Sequence, residues 1–364
     1  MKLFFDARYI RTDFHDGISR YSTELAGAVY AQKPDTIFLI WHADQAKLLP
    51  ANAEIMMFHS PASWREPFSA LFLNKYHPDI LFSPMQTIGT IGQKFKTILT
   101  VHDLIYYRHR TPPRGINPLL RAGWFIYHLS YIPQRLLLKG ASIVATVSHT
   151  SKQDIANAAL TNQPIIVIPN APQKLAELIP SRPDSSLPPI HLIYMGSSMP
   201  YKNIETLVRG MALLSDFQLH ILSRVPEKRK KELKHLAGTS DVVFHNGVSD
   251  AEYAHLLTDR ALLVSASVDE GYGLPLAESL ALGVPVVVSD LAIFHEVAGD
   301  GALYFNPHSP ADFAAKVTAA SQPEKYHELS QNGKRHIAHF TWEQSAQEVI
   351  RACEQLHTNG SSSR

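Results

Sequence analysis

A single cysteine, Cys353, among 364 residues excludes an intrachain disulfide and agrees with a reducing compartment. No apolar run approaches the length that spans a bilayer, and the amino terminus MKLFFDARYI meets Asp6 and Arg8 too early for a signal peptide. A cytoplasmic chain is expected, at most peripheral on the inner face of the plasma membrane. Excess charge is missing too: a net +1 argues against whole-molecule affinity for nucleic acid. Nineteen histidines form no H-E-x-x-H or Cys-rich cluster, and no D-x-D follows a strand, so no metal site is expected. Short internal repeats are absent.

What is present is a β/α alternation long enough for two domains. Short apolar runs at 2–5, 36–41, 54–58, 80–83, 97–102, 142–147 and 165–169 are separated by helix-length segments. That pattern predicts a parallel sheet with helices on both faces, whose ligands lie beyond the carboxyl ends of the strands. Composition turns to proline, serine and charge over 173–189, a linker between a domain at 1–172 and a second at 190–341. The second repeats the alternation with strands at 190–195, 218–222, 261–264, 284–288 and 302–305. A last amphipathic helix is expected over 342–357, then a polar tail at 358–364.

The chemistry concentrates in SASVDEGYGLPLAESLALGVPVVVSD, residues 265–290. Gly271 and Gly273 allow positive φ and bare amides, and Pro275 suits a first helical turn, so a tight loop opens on a helix N-terminus. Such an end attracts phosphate. Glu270 and Glu278 bracket it, each able to accept two hydrogen bonds from a vicinal diol. A second strand, loop and helix start holds Gly196, Lys202 and Asn203, and a third holds Gly17 ahead of a helix with Ile18, Tyr21 and Leu25 on one face. His102 ends a strand in TVHDL.

The spacing of Glu270 and Glu278 around G-Y-G-L-P resembles the E-x7-E signature of the retaining GT-B glycosyltransferases in the family-four group. The resemblance runs from Asp6 to Trp342. It implies two Rossmann-like domains facing each other across a cleft, acceptor side first and nucleotide-sugar side second, with the closing helix returning to the first domain. It carries sugar contact onto Glu270, ribose contact onto Glu278, and pyrophosphate contact onto Lys202 in MGSSMPYKN. Gly196, Ser197, Tyr272, Gly273 and Leu274 join the donor site, with Gly17 admitting donor and acceptor to its loop. His102 takes the donor-site histidine's role, Val248 the cradle of the base, and Arg224 is a candidate for a missing charge. Departures are Ser19 for a second glycine in DGISRY, and Ser197 and Tyr201 where relatives commonly carry arginine.

The implied activity is metal-independent transfer of a hexose with retention, in cell-envelope or exopolysaccharide synthesis. No cofactor is expected, and the donor is GDP-mannose or a UDP-hexose. Non-catalytic nucleotide-sugar subunit and nucleotide-sugar epimerase stay open as other classes. The partner is a glycan or lipid-linked acceptor. The stretch 117–139 pairs an apolar face with basic flanks, and because Pro133 interrupts it, packing on the sheet is expected ahead of a lipid contact.

Overall fold

The computed structural model describes residues 1–13, 16–112, 117–179 and 188–361. Two compact units emerge: Met1–Asn170 with Phe340–Arg364, and Ala171–His339.

The first unit holds β1 (Leu3–Asp6), β2 (Ile37–Ile40), β3 (Glu54–Met57), β4 (Ile80–Ser83), β5 (Lys96–Thr100), β6 (Ile143–Thr146) and β7 (Ile165–Val167). They form one parallel sheet in the order β3-β2-β1-β4-β5-β6-β7. Central strands such as LFFD and ILFS are buried throughout, which is why they read as unbroken apolar runs rather than alternating ones. The carboxy-terminal helix, Trp342–Ser361, belongs to this unit and packs on the helix Gly17–Gln32. Gln32 Nε2 donates to the carbonyl of Glu343 at 2.8 Å, and Ser345 Oγ to that of Pro169 at 2.7 Å. The helix outruns its expected end, since residues 358–361 continue it. Cys353 is sealed on its inner face, its thiol pushed up to about 12 by burial, which leaves it inert.

The second unit holds β8 (His191–Tyr194), β9 (Gln218–Ile221), β10 (Val242–Phe244), β11 (Ala261–Ser265), β12 (Val286–Ser289) and β13 (Ala302–Phe305), ordered β10-β9-β8-β11-β12-β13 and all parallel. β10 is a strand the sequence does not announce: three half-buried residues at a sheet edge give too short a run. The expected linker also needs correcting. Leu175–Leu178 forms a 3-10 turn, buries Leu175 and packs on the helix Asp250–Thr258 of the second unit, while 180–187 lie outside the described residues.

Both sheets reverse their order once, between β1 and β4 and between β8 and β11. The loops leaving the two strands of a reversal diverge to opposite faces and open a crevice at the carboxyl edge. A further correction concerns 117–139. Helix Pro118–Tyr127 buries none of its residues, and Leu119, Leu120, Phe125, Ile126, Leu129, Ile132 and Leu136 stand exposed, whereas helix Ile132–Leu138 packs into the core as expected through Leu138, with Tyr131 against it.

Candidate active site

The reversal in the second unit is built by the loops after β8 and β11. The first leaves Tyr194, whose phenol donates to the carbonyl of Ser197 at 2.8 Å, and Gly196 N–H donates to Ser223 Oγ at 3.0 Å. A β-carbon on Gly196 would meet the Tyr194 oxygen at 2.8 Å, so the bare backbone is required here. A 3-10 turn, Pro200–Lys202, then delivers Lys202, and Asn203 reverses the chain at φ 49° before the helix Ile204–Gly210.

Asn203 does more than turn. Its Nδ2 donates to the carbonyls of Ala266 at 3.1 Å and Pro307 at 2.7 Å, while Val268 N–H donates to the carbonyl of Tyr201 at 2.8 Å. The loop carrying Lys202 is thereby fastened to the loop carrying Glu270. The two side chains meet: Lys202 Nζ stands 2.5 Å from Glu270 Oε1, both largely shielded. Ser267, fully buried, donates its hydroxyl to the same oxygen at 2.9 Å and fixes the carboxylate's rotation. The Lys202 ammonium also lies 5.4 Å from the centre of the Tyr201 ring, at a place where arginine would have brought a second charge. Buried beside Glu270, the Tyr194 phenol is held well above its ordinary value, mainly by desolvation, and remains a neutral donor.

Beyond Glu270 the chain reaches Gly273 at φ 98°, ψ 54°, a conformation that glycine alone adopts cheaply, and a side chain there would press on Phe294 at 3.1 Å. Helix Leu274–Leu282 starts at once, with Pro275 in its first turn and no acidic residue there to compete for its amides. Glu278 lies on this helix and is buried, as is Tyr272 on the loop before it. At the β9–β10 edge Gly247 turns at φ 101° against the Arg224 side chain, which would approach a β-carbon there at 3.2 Å, and half-buried Val248 follows. Arg224 is exposed.

Gly17 and His102 lie in the first unit, near each other. Asp16 caps the Gly17–Gln32 helix through Ser19 N–H at 2.9 Å, and Tyr21 on that helix sets its ring edge-on to His102 with centroids 5.0 Å apart. The departure at Ser19 now has a physical reading. Its hydroxyl accepts the Arg11 N–H at 2.8 Å and staples the loop that a glycine would leave loose. His102 Nε2 is 2.8 Å from the carbonyl of Pro84, an acceptor only, so Nε2 carries the proton and Nδ1 is an acceptor. Burial lowers its pKa and keeps the ring neutral.

Sequence reasoning missed Ser267, three residues before Glu270, and the tie made by Asn203, next to the lysine it did select. It also missed a buried network at the end of β1, where Arg8 bonds Asp6 and Glu66, and His59 meets Glu66 at 3.1 Å. Among the described residues no three His, Cys, Asp or Glu side chains are grouped to hold a metal ion, and no helix is long and apolar enough to cross a membrane.

Residues 167–336 match the family of glycosyl transferases group 1. The chain is 28% identical over 245 residues to the O-antigen chain mannosyltransferase RfbU of Salmonella typhimurium, covering 65% of this chain and 68% of that protein. It is 28% identical over 240 residues to the O-antigen chain mannosyltransferase B of Escherichia coli, covering 60% and 62%. Among solved structures, sucrose-phosphate synthase from Thermosynechococcus elongatus superposes with a TM-score of 0.75 at 17% identity, covering 98% of this chain and 99% of that one. HepE of Anabaena, in complex with UDP and glucose, superposes with a TM-score of 0.72 at 15% identity, covering 98% and 100%.

Proposed function

From a GT-B chain that resembles the group 1 glycosyltransferases, with residues 167–336 matching that family, we propose a retaining hexosyltransferase acting in cell-envelope polysaccharide synthesis. It takes a hexose, mannose first, from a nucleotide diphosphate and gives it to a glycan or lipid-linked acceptor. The observation that carries this reading is the meeting of Lys202 and Glu270 at the reversal between β8 and β11, beside a helix N-terminus free of acidic side chains. Mannose is favoured by the two O-antigen chain mannosyltransferases among the relatives.

As the glycosidic bond breaks, negative charge grows on the diphosphate. Lys202 and the amides around Gly273 and Leu274 would hold that charge in place, and preorganised electrostatics of this kind is commonly the largest catalytic contribution. An ammonium has three donors, so Lys202 can keep Glu270 while it turns a proton toward phosphate. Glu270 orients sugar hydroxyls, Glu278 takes the ribose, and Val248 borders the base. With the leaving charge met by protein cations and dipoles, the reaction proceeds without a divalent ion. The acceptor oxygen attacks from the face the phosphate leaves, and a phosphate oxygen takes its proton.

Incubation with GDP-mannose or UDP-hexoses and a lipid-linked oligosaccharide fraction, followed by mass analysis of the products, tests the transfer. Product formed equally in EDTA supports the reading, and activity abolished by EDTA and restored by Mn²⁺ contradicts metal independence.

The first unit also supplies a surface for the acceptor's lipid. From residue 104 to 153 there is no acidic residue and there are seven Lys and Arg, and the same stretch exposes Leu119, Leu120, Ile126 and Ile132. An apolar face with basic flanks suits an anionic bilayer surface. Flotation with vesicles containing phosphatidylglycerol should carry the protein at low salt, and Leu119→Asp with Ile126→Asp should release it. Failure of the wild-type protein to float would sink this part.

A further inference from the structure

The two sheets end in four edge strands, and three of them are sheltered. β7 and β10 are half-buried throughout, and β13 is buried at both ends. β3 differs: Glu54, Ile55 and Met57 stand exposed, and Met56 is half-buried. The stretch 53–58 carries neither the lysine nor the proline with which natural edges repel a further strand.

Its hydrogen bonds show what this edge offers. Phe58 N–H donates to the carbonyl of Ile40 at 2.7 Å, and β3 pairs with β2 in parallel with Met56 opposite Leu39. Main-chain direction alternates along a strand, so Met56 bonds inward while Ile55 and Met57 point their N–H and C=O groups away from the sheet. Side chains alternate too. Met56 and Phe58 pack on the core that includes Ala70 and Leu73 of the short helix Ser69–Leu73, and Ile55 and Met57 take the opposite face.

Apolar surface wraps the edge. Met57 is 58% exposed, Ile55 37%, Trp64 75% and Phe72 41%. Phe72 reaches the strand's end through His59, with ring centroids 5.9 Å apart. Arg65 stands among them, 5.6 Å from the Trp64 ring and 6.0 Å from that of Phe72. Neither Arg65 nor Glu54 has an oppositely charged partner among the described residues.

We propose that β3 pairs antiparallel with β3 of a second copy, about a two-fold axis at Met56, so that the two seven-stranded sheets run on as one. In that register Ile55 faces Met57 of the partner subunit, and every outward N–H and C=O of the two residues is used. Glu54 lies opposite Phe58 of the partner subunit, on the face where Arg65 stands, and the two unpaired charges meet across the axis. An anionic bilayer would have to accept Glu54 together with Arg65, whereas a second copy pairs them. The four exposed side chains offer roughly 400 Å² of apolar surface per copy. At the ~65% apolar share of homodimer interfaces this corresponds to about 1,200 Å² in all, where specific association begins. The pairing is independent of the donor site in the second unit.

Sedimentation velocity of the full-length protein without lipid, from about 1 to 100 µM, tests it and should show a monomer–dimer equilibrium. Ile55→Pro removes an N–H that points to solvent in the monomer, so β3 stays paired with β2 while Kd for the dimer rises at least 20-fold. Arg65→Glu should weaken the dimer at least fivefold, and adding Glu54→Arg should restore it. Met56→Cys sets two thiols opposite each other on strands whose Cα atoms are about 4.5 Å apart, and should yield a disulfide-linked dimer on oxidation. Leu213→Cys, exposed in the second unit, should not. The last three variants keep the test alive should Ile55→Pro fail to fold, and all should retain the wild-type thermal-shift response to sugar nucleotides. A monomer at every concentration overturns the proposal. So does a dimer that ignores Ile55→Pro and Arg65→Glu, or one that Met56→Cys fails to cross-link. A monomer whose flotation with anionic vesicles is abolished by Trp64→Ser would assign the patch to lipid and overturn it equally.

Discussion

At the reversal between β1 and β4, Asp6, which accepts the Ser83 hydroxyl, pairs with Arg8, which also binds Glu66 and lies 2% exposed; at the reversal between β8 and β11, Lys202 and Glu270 pair on two loops beside a helix end. The strand order is shared, but the use of charge differs. In the first unit burial works against the guanidinium's charge, and Asp6 and Glu66 more than offset it, so the cation is locked into structure. In the second the cation has one carboxylate partner among the described residues, and a neighbouring set of backbone amides. The comparison separates a crevice whose cation is spent on structure from one whose cation stands beside backbone amides.

Replacing each cation breaks the comparison in opposite ways. Arg8→Met strands two buried carboxylates and should cost about 3–5 kcal/mol, read as an early transition of the first unit in urea. Lys202→Met should leave the unfolding curve nearly where it was and lower turnover about 100-fold. Equal stability losses in the two variants would erase the distinction.

A pH titration sharpens it further. His59 in the first unit and His220 in the second both have pKa values lowered from 6.5 to about 4, mainly by burial, with Arg8 next for His59 and with His191 and His245 next for His220. His220 hydrogen-bonds His245 at 2.9 Å and His191 at 3.0 Å, so an added proton meets two neighbouring rings. Depressed folded-state values mean the unfolded chain takes up protons first. The stabilisation is therefore complete above about pH 6.5 and is lost as pH falls toward 4. Urea midpoints across that window should drop for both units, and His220→Gln should flatten the second unit's curve alone. The smallest effect belongs to Ser267→Ala, which removes one hydrogen bond to Glu270 worth about 1 kcal/mol and should cost about fivefold in turnover without a change in nucleotide affinity. Steady-state kinetics that shifted KM alone would reassign Ser267 to binding.

Much of the fold was legible because doubly covered parallel strands are apolar from end to end, and each of β1, β4, β11 and β12 stands out as such a run. β10 was not, since three half-buried residues at an edge carry no period. The second unit's candidate groups could be picked out in the sequence because they cluster within short segments: Glu270, Gly273 and Glu278 on one loop and helix, and Lys202 beside Asn203. What joins the segments was not, because the bonds from Asn203 to Ala266 and Pro307 span 63 and 104 positions. Within 117–139 the helix Pro118–Tyr127 misled, while Ile132–Leu138 keeps its expected core contact through Leu138. Helical periodicity reports an apolar face and says nothing of what covers it, and over 118–127 much of that face meets solvent.

The central claim is that the β8/β11 crevice holds a sugar nucleotide by its diphosphate, and calorimetric titration of the wild-type protein and Lys202→Met with GDP-mannose and UDP-glucose addresses it directly. Saturable binding of one donor by the wild-type protein, weakened at least tenfold in Lys202→Met, is the predicted result. No binding of either by folded protein, or equal binding by both proteins, would contradict it.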